Sequence, residues 1–155
     1  MNPSHIRHAS NPSRMSQNKF QSLLMQYGRS VGMGQTADLL LKGHPIDVDG
    51  VIFSLDYRPS ETPDHVTVYC DLGVVSNMDT VEVQGALLRM NVTFYMTQGL
   101  CLTISPVKKD HAIFSCNLVL ADLTAKTFRS ALESMAKISA DWRRQWPAIL
   151  AKWRC

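Results

Sequence analysis

Between Asp79 and Thr97 the apolar residues fall on two opposite sides of one helix. At about 100° per residue, Val83, Ala86, Leu87, Met90 and Phe94 line one side. Val81, Leu88, Val92, Tyr95 and Met96 line the other. Glu82, Arg89 and Thr93 mark one seam between them, and Gln84 and Asn91 mark the second. A helix that covers a single core needs only one apolar stripe. The opposed stripe has to be buried against a second layer of the same domain or against another copy of the chain. The chain is short and its other helices show one stripe each, which favours another copy. The expectation is a homodimer across Val81, Leu88, Val92 and Tyr95.

The remaining pattern gives helix and strand in turn. Phe20, Leu23, Leu24, Tyr27 and Val31 form one narrow helical stripe over about Gln17 to Val31, with Ser16 as its cap and Gly28, Gly32 and Gly34 loosening and ending it. The register of Leu39, Leu40 and Leu41 is ambiguous. Ile46–Val48 and Val51–Tyr57 read as strands joined by Asp49-Gly50, a favoured pair for a tight hairpin. Val66, Val68, Cys70 and Leu72 alternate with polar positions, and so do Leu100, Leu102 and Ile104. Ala112, Phe114, Cys116, Leu118 and Leu120 give the last strand. Asp79 and Gly99 bracket the central helix as its two caps. Thr124 caps a long final helix with Phe128, Ala131, Leu132, Met135, Ile138, Trp142 and Trp146 on one face, which Pro147 should interrupt.

The order is therefore α-β-β-β-α-β-β-α. Short connections between the strands imply a single twisted antiparallel sheet with three helices, an α+β domain over residues 16–147. Residues 1–15, rich in Asn, Pro, Ser, His and Arg, are expected to be disordered. Residues 148–155 form a basic tail. One sheet face is strongly apolar. The other carries Ile52, Tyr69, Cys101, Ile113 and Val119, more apolar side chains than a purely solvated face needs.

Charge changes this picture little. The 155 residues carry a net charge of +3, but all 13 acids lie between Asp38 and Asp141. The body is −4 and the two ends together are +7. The body has no basic face, and its aromatic residues sit in apolar stripes, so nucleic acid is not the expected partner. No apolar run approaches the roughly 18 residues of a membrane helix. The first fifteen residues contain no apolar core, so no secretory signal is expected. Cys70, Cys101, Cys116 and Cys155 are too widely spaced for a metal knuckle or a redox pair, and the first three sit in strand patterns. His44 near Asp47 and His65 beside Asp64 are conceivable bases, but no nucleophile motif accompanies them. Gly28-x-x-x-Gly32-x-Gly34 follows a helix, which excludes a phosphate loop. No catalytic residue, metal ligand or cofactor is expected.

From about Phe20 to Trp146 the chain resembles the class I chaperones of bacterial type III secretion, the Tir-chaperone (CesT) family. The matching stretches are the amphipathic first helix, Ile46-Asp47-Val48-Asp49-Gly50, and the strands Val51 to Asp56 and Val66 to Leu72. Leu87-Leu88-Arg89-Met90-Asn91, Gly99-Leu100-Cys101-Leu102-Thr103-Ile104, Ile113 to Leu120 and Ala140-Asp141-Trp142-Arg143 complete them. The polar N-terminal extension and the basic net charge depart from the family pattern. The resemblance implies a cytoplasmic bacterial homodimer without enzymatic activity. Such a dimer holds the N-terminal region of a secreted effector as an extended chain and needs no ATP. By the same resemblance, Leu88, Val92 and Tyr95 would meet the second copy, and the effector surface would involve the first helix and the sheet. Alternation nominates Ile52, Tyr69, Cys101 and Ile113 for the effector. A dimeric scaffold domain of similar build and a small-ligand binder or enzyme are the rival readings.

Overall fold

A computed structural model describes residues 12–59, 63–75 and 80–152. The chain runs through α1 (Pro12–Ser30), a 3-10 turn at Gly34–Ala37, α2 (Asp38–Leu41), β1 (Ile46–Val48), β2 (Val51–Tyr57) and β3 (His65–Val74). It continues through α3 (Val81–Gln98), β4 (Cys101–Ile104), β5 (His111–Val119), a 3-10 turn at Leu120–Asp122 and α4 (Ala125–Lys152). The strands make one antiparallel sheet in the order β1-β2-β3-β5-β4. The fold is α+β, as the periodicity requires.

Each strand is half apolar, and the sheet turns that half to one side. Val51, Phe53, Val66, Val68, Cys70, Leu72, Leu102, Ala112 and Phe114 are all buried there. Leu23, Leu24 and Tyr27 of α1 and Phe128, Leu132, Met135 and Trp142 of α4 complete the same core. Two polar links tie α4 to the middle strand. Ser139 Oγ donates to the Met135 carbonyl at 2.7 Å and lies 2.9 Å from Cys70 Sγ. Arg143 donates to the carbonyls of Leu72 and Asp71, at 2.8 and 2.6 Å, where β3 bulges against β5. The Trp142-Arg143 pair thus has a structural meaning: the indole fills the core and the guanidinium satisfies carbonyls that the bulge frees from the ladder.

Local chemistry explains most boundaries. Asp49 and Gly50 both have positive φ, 53° and 77°, which is the turn that matches the twist of a two-residue hairpin. Thr124 Oγ1 accepts from the Thr127 N–H, and Thr127 Oγ1 from the Thr124 N–H, so α4 starts where the sequence places it. Gly99 is left-handed at φ 66° and ends α3, its N–H bonding the Tyr95 carbonyl.

Five differences from the sequence reading have clear causes. There are four α-helices among the described residues, not three, because Asp38–Leu41 closes one turn. A single turn is too short to show periodicity; it buries Leu40 and leaves Leu41 exposed. Gly28 does not loosen α1. A side chain there would place its Cβ 2.6 Å from that of Ala37, so glycine lets the 3-10 turn lie directly on the helix. α1 is helical from Pro12, so Ser16 sits inside it rather than at its cap. Thr80, not Asp79, caps α3, its side chain accepting from the Val83 N–H; Asp79 lies outside the described residues. Pro147 does not end α4, which runs on to Lys152. The lost hydrogen bond is tolerated because Trp146 before it is buried and Ile149 after it packs on the core. Most of the stretch 1–15 and the last three residues of the tail lie outside the described residues.

Candidate protein-binding site

α3 carries the two stripes that the sequence shows. Its inner stripe meets β4 and α4: Val83, Ala86 and Leu87 are buried, and Phe94 packs edge-on against Phe114 with ring centroids 4.7 Å apart. Its outer stripe is bare in the single chain. Val81 is 81% exposed, Leu88 69%, Val92 66%, Tyr95 62% and Met96 76%. Leu88, Val92 and Tyr95 follow one another at helical spacing, so they form a ridge rather than scattered points.

The sheet face turned away from the helices holds Ile52, Tyr69, Cys101 and Ile113, as alternation requires. The register gathers three of them. Tyr69 and Cys101 flank Ser115 from its two sides, and Ile113 lies two residues along β5, between Asp71 and Thr103. Ile52 stands apart on β2, opposite Asp47. Polar groups divide this surface. Thr67 donates to Asn117 across the strands at 2.8 Å. Asp71 accepts from the Gly73 N–H and is 2.8 Å from His111 Nδ1 and 3.2 Å from Lys108 Nζ. Burial raises the Asp71 carboxyl, but the bonds from His111, Gly73 and Lys108 outweigh it and hold the group below the usual carboxylate range. The His–Asp pair is therefore His111 with Asp71, forty residues apart, a match that only strand register reveals. His44 and His65 show no hydrogen bond to Asp47 or Asp64 among the described residues.

The two sheet edges differ. α3 lies beside β4, and Asn91 Oδ1 accepts the Leu102 N–H at 2.8 Å, so a helix side chain already occupies that edge. β1 has no neighbour on its outer side among the described residues. A groove of about 490 Å³ opens beside it, between β1 and the ends of α1 and α4. Tyr27, Val31, Met33 and Val48 give its apolar lining. Asp47, Asp49, Arg129 and Glu133 stand around it. A second groove of about 210 Å³ continues along α1, lined by Phe20, Leu40, Leu55 and Tyr57, where Phe20 and Tyr57 stack at 4.6 Å. The family resemblance points to the first helix and the sheet, but none of the residues nominated from the sequence lines either groove. The grooves' apolar residues are legible, but their alignment beside an open edge depends on how α1 settles on the sheet.

No group of three or more His, Cys, Asp or Glu side chains suited to a metal occurs among the described residues. No helix among them is long and apolar enough to cross a membrane. The thiols follow burial. Burial pushes Cys70 up to about 11 against the Ser139 hydrogen bond, and pushes Cys116 up to about 11 as well. With Cys155 replaced by serine, Cys101, which is exposed, will react fastest with a thiol reagent in the native protein, half-buried Cys116 more slowly, and buried Cys70 only on unfolding. The sign for stability follows. The unfolded thiols ionise near 9 and the folded ones near 11, so their contribution is intact below pH 9 and declines between about pH 9 and 11. Urea titrations across that window, compared with a Cys70→Ala/Cys116→Ala chain, check it.

Comparison with solved structures places this architecture. A chain in the crystal structure of the ExsC–ExsE complex matches with a TM-score of 0.62 and 15% identity, over 82% of this chain and 92% of that one. A chain in the structure of the HopA1–SchA chaperone–effector complex matches with a TM-score of 0.62 and 14% identity, over 84% of this chain and 97% of that one. No protein-family model and no curated protein matches the sequence. At such identities the likeness is one of fold, and it extends over nearly the whole of both neighbours.

Proposed function

We propose that this protein is a type III secretion chaperone: a cytoplasmic bacterial homodimer that binds the N-terminal segment of a secreted effector as an extended chain and keeps it competent for secretion, without ATP. The observation that carries the reading is the open β1 edge with apolar grooves beside it, in a fold shared with a chain of a chaperone–effector complex. An extended client can add a strand to a free edge and set alternate side chains into the adjoining grooves. Two copies joined through the outer α3 stripe would offer two such edges. A client long enough to span both gains effective concentration at the second. The outer sheet face with Tyr69, Cys101 and Ile113, and with Ile52 nearer the hairpin, gives a wrapping chain further shallow contacts. No part of this scheme assigns a role to nucleic acid, a metal or a cofactor.

The test is capture of the tagged chain from its native cytoplasm under secretion-inducing conditions, followed by mass spectrometry. One dominant, much larger protein is expected, retained through its N-terminal segment alone and unaffected by ATP depletion. Capture of folded partners only, with no N-terminal segment sufficient, would favour a scaffold domain instead.

A further inference from the structure

We infer that the β1 groove selects a client segment in which apolar residues alternate with lysine or arginine. The inference rests on the chaperone reading and adds the chemistry of the segment. Its first support is the ladder. Val48 and Val51 close the two-residue hairpin, and hydrogen bonding alternates along an antiparallel pair. The main-chain N–H and C=O of Asp47 therefore face the open side, where an incoming strand would pair. The β4 edge is not equivalent, because Asn91 already takes its Leu102 N–H.

Its second support is the division of the groove. On the helix side the incoming side chains meet Tyr27, Val31, Met33 and Val48, which call for apolar partners. Charge around the same groove is one-sided. Asp47, Asp49 and Glu133 face it against one cation, Arg129, and that guanidinium is held on Glu133 at 2.7 Å. Asp47 and Asp49 have no basic partner among the described residues. A strand side chain pointing away from the groove floor at this turn passes close to both carboxylates. A Lys or Arg there is attracted and a Glu repelled, with most of the discrimination coming from the repulsion.

Three labelled synthetic peptides separate the possibilities. Each alternates valine with one other residue: lysine, glutamine or glutamate. Binding to the full-length chain is followed by fluorescence anisotropy at low and at high salt. The lysine peptide should bind about ten-fold more tightly than the glutamate peptide at low salt, with the gap closing as salt screens exposed charges. A chain carrying Asp47→Asn, Asp49→Asn and Glu133→Gln should lose the preference and keep its affinity for the glutamine peptide. Those replacements keep an acceptor for the Gly50 N–H, tolerate the positive φ at residue 49 and leave an acceptor for Arg129. Amide exchange should slow at Asp47 on binding. Equal affinity for all three peptides, a preference that survives neutralisation, protection elsewhere than β1, or no binding would each overturn the inference. If the neutralised chain captures the effector as well as the parent does, charge selection fails and the chaperone reading stands. If no effector is captured while the lysine peptide still wins, the cation-selecting acidic groove stands and the chaperone reading fails.

Discussion

Val92→Glu should leave a stable, folded chain that sediments as a 17.4 kDa monomer, where the dimer proposed for the parent should sediment at twice that mass. In the single chain Val92 is 66% exposed in the middle of α3, so a charge there remains in water. Surface substitutions of this kind change stability by about 0.5 kcal/mol or less, and glutamate is the better helix former. In a two-fold dimer across Leu88, Val92 and Tyr95, each copy would instead place its carboxylate in the joint between the helices. Burying an unpaired carboxylate costs several kcal/mol, and about 4 kcal/mol weakens association roughly a thousand-fold. Circular dichroism and sedimentation measured together separate this from unfolding, and Val92→Leu should keep the dimer. An unchanged mass for Val92→Glu would move the interface away from this stripe. The same variant should lose the concentration dependence of its unfolding midpoint, because a dimer is stabilised by mass action and a monomer is not.

The outer stripe was legible in the sequence because it is an excess. An amphipathic helix needs one apolar face, and α3 has a second that the described residues leave exposed. The strands were legible for a related reason: Val66 to Leu72 and Ala112 to Leu120 alternate over enough residues to fix which side faces the core. Caps that depend on one residue, such as Gly99 and Thr124, could also be read directly. What escaped was set by contacts between distant parts of the chain. Gly28 resembles a helix breaker until Ala37 is seen against it. Pro147 resembles a stop until Trp146 and Ile149 hold the helix on either side. Asp71 and His111 meet because β3 pairs with β5 rather than with β4. Alternation put Ile52, Tyr69, Cys101 and Ile113 on one face correctly, but it could not show that polar pairs divide that face. Nor could it show that the open edge and its groove lie at β1.

Phe114→Ala should lower the unfolding free energy by about 3–5 kcal/mol, a large share of the 5–15 kcal/mol of an ordinary domain. The ring is fully buried on β5 and joins three elements. Its centroid lies 4.7 Å from that of Phe94 on α3 and 6.3 Å from that of Trp142 on α4, both edge-on. Its backbone neighbours across the sheet are Cys70 and Leu102. Removing it loses the transfer energy of the ring, leaves a cavity and breaks two aromatic contacts. α3 should suffer first, because Phe94 packs on this ring and the rest of the helix rests mainly on β4 and α4. The loss therefore couples core to interface: a helix less firmly seated presents Leu88, Val92 and Tyr95 less rigidly, and dimerisation should weaken although none of those residues has changed. Urea unfolding in the Val92→Glu background reads the core term alone, free of protein concentration. The difference between that value and the one in the parent background gives the coupling. Phe114→Leu should recover more than half of the loss, because the site is apolar throughout and leucine refills most of the volume. A loss below about 1 kcal/mol for Phe114→Ala would mean that α3 and α4 close over the gap, and that the three elements are not held by this ring.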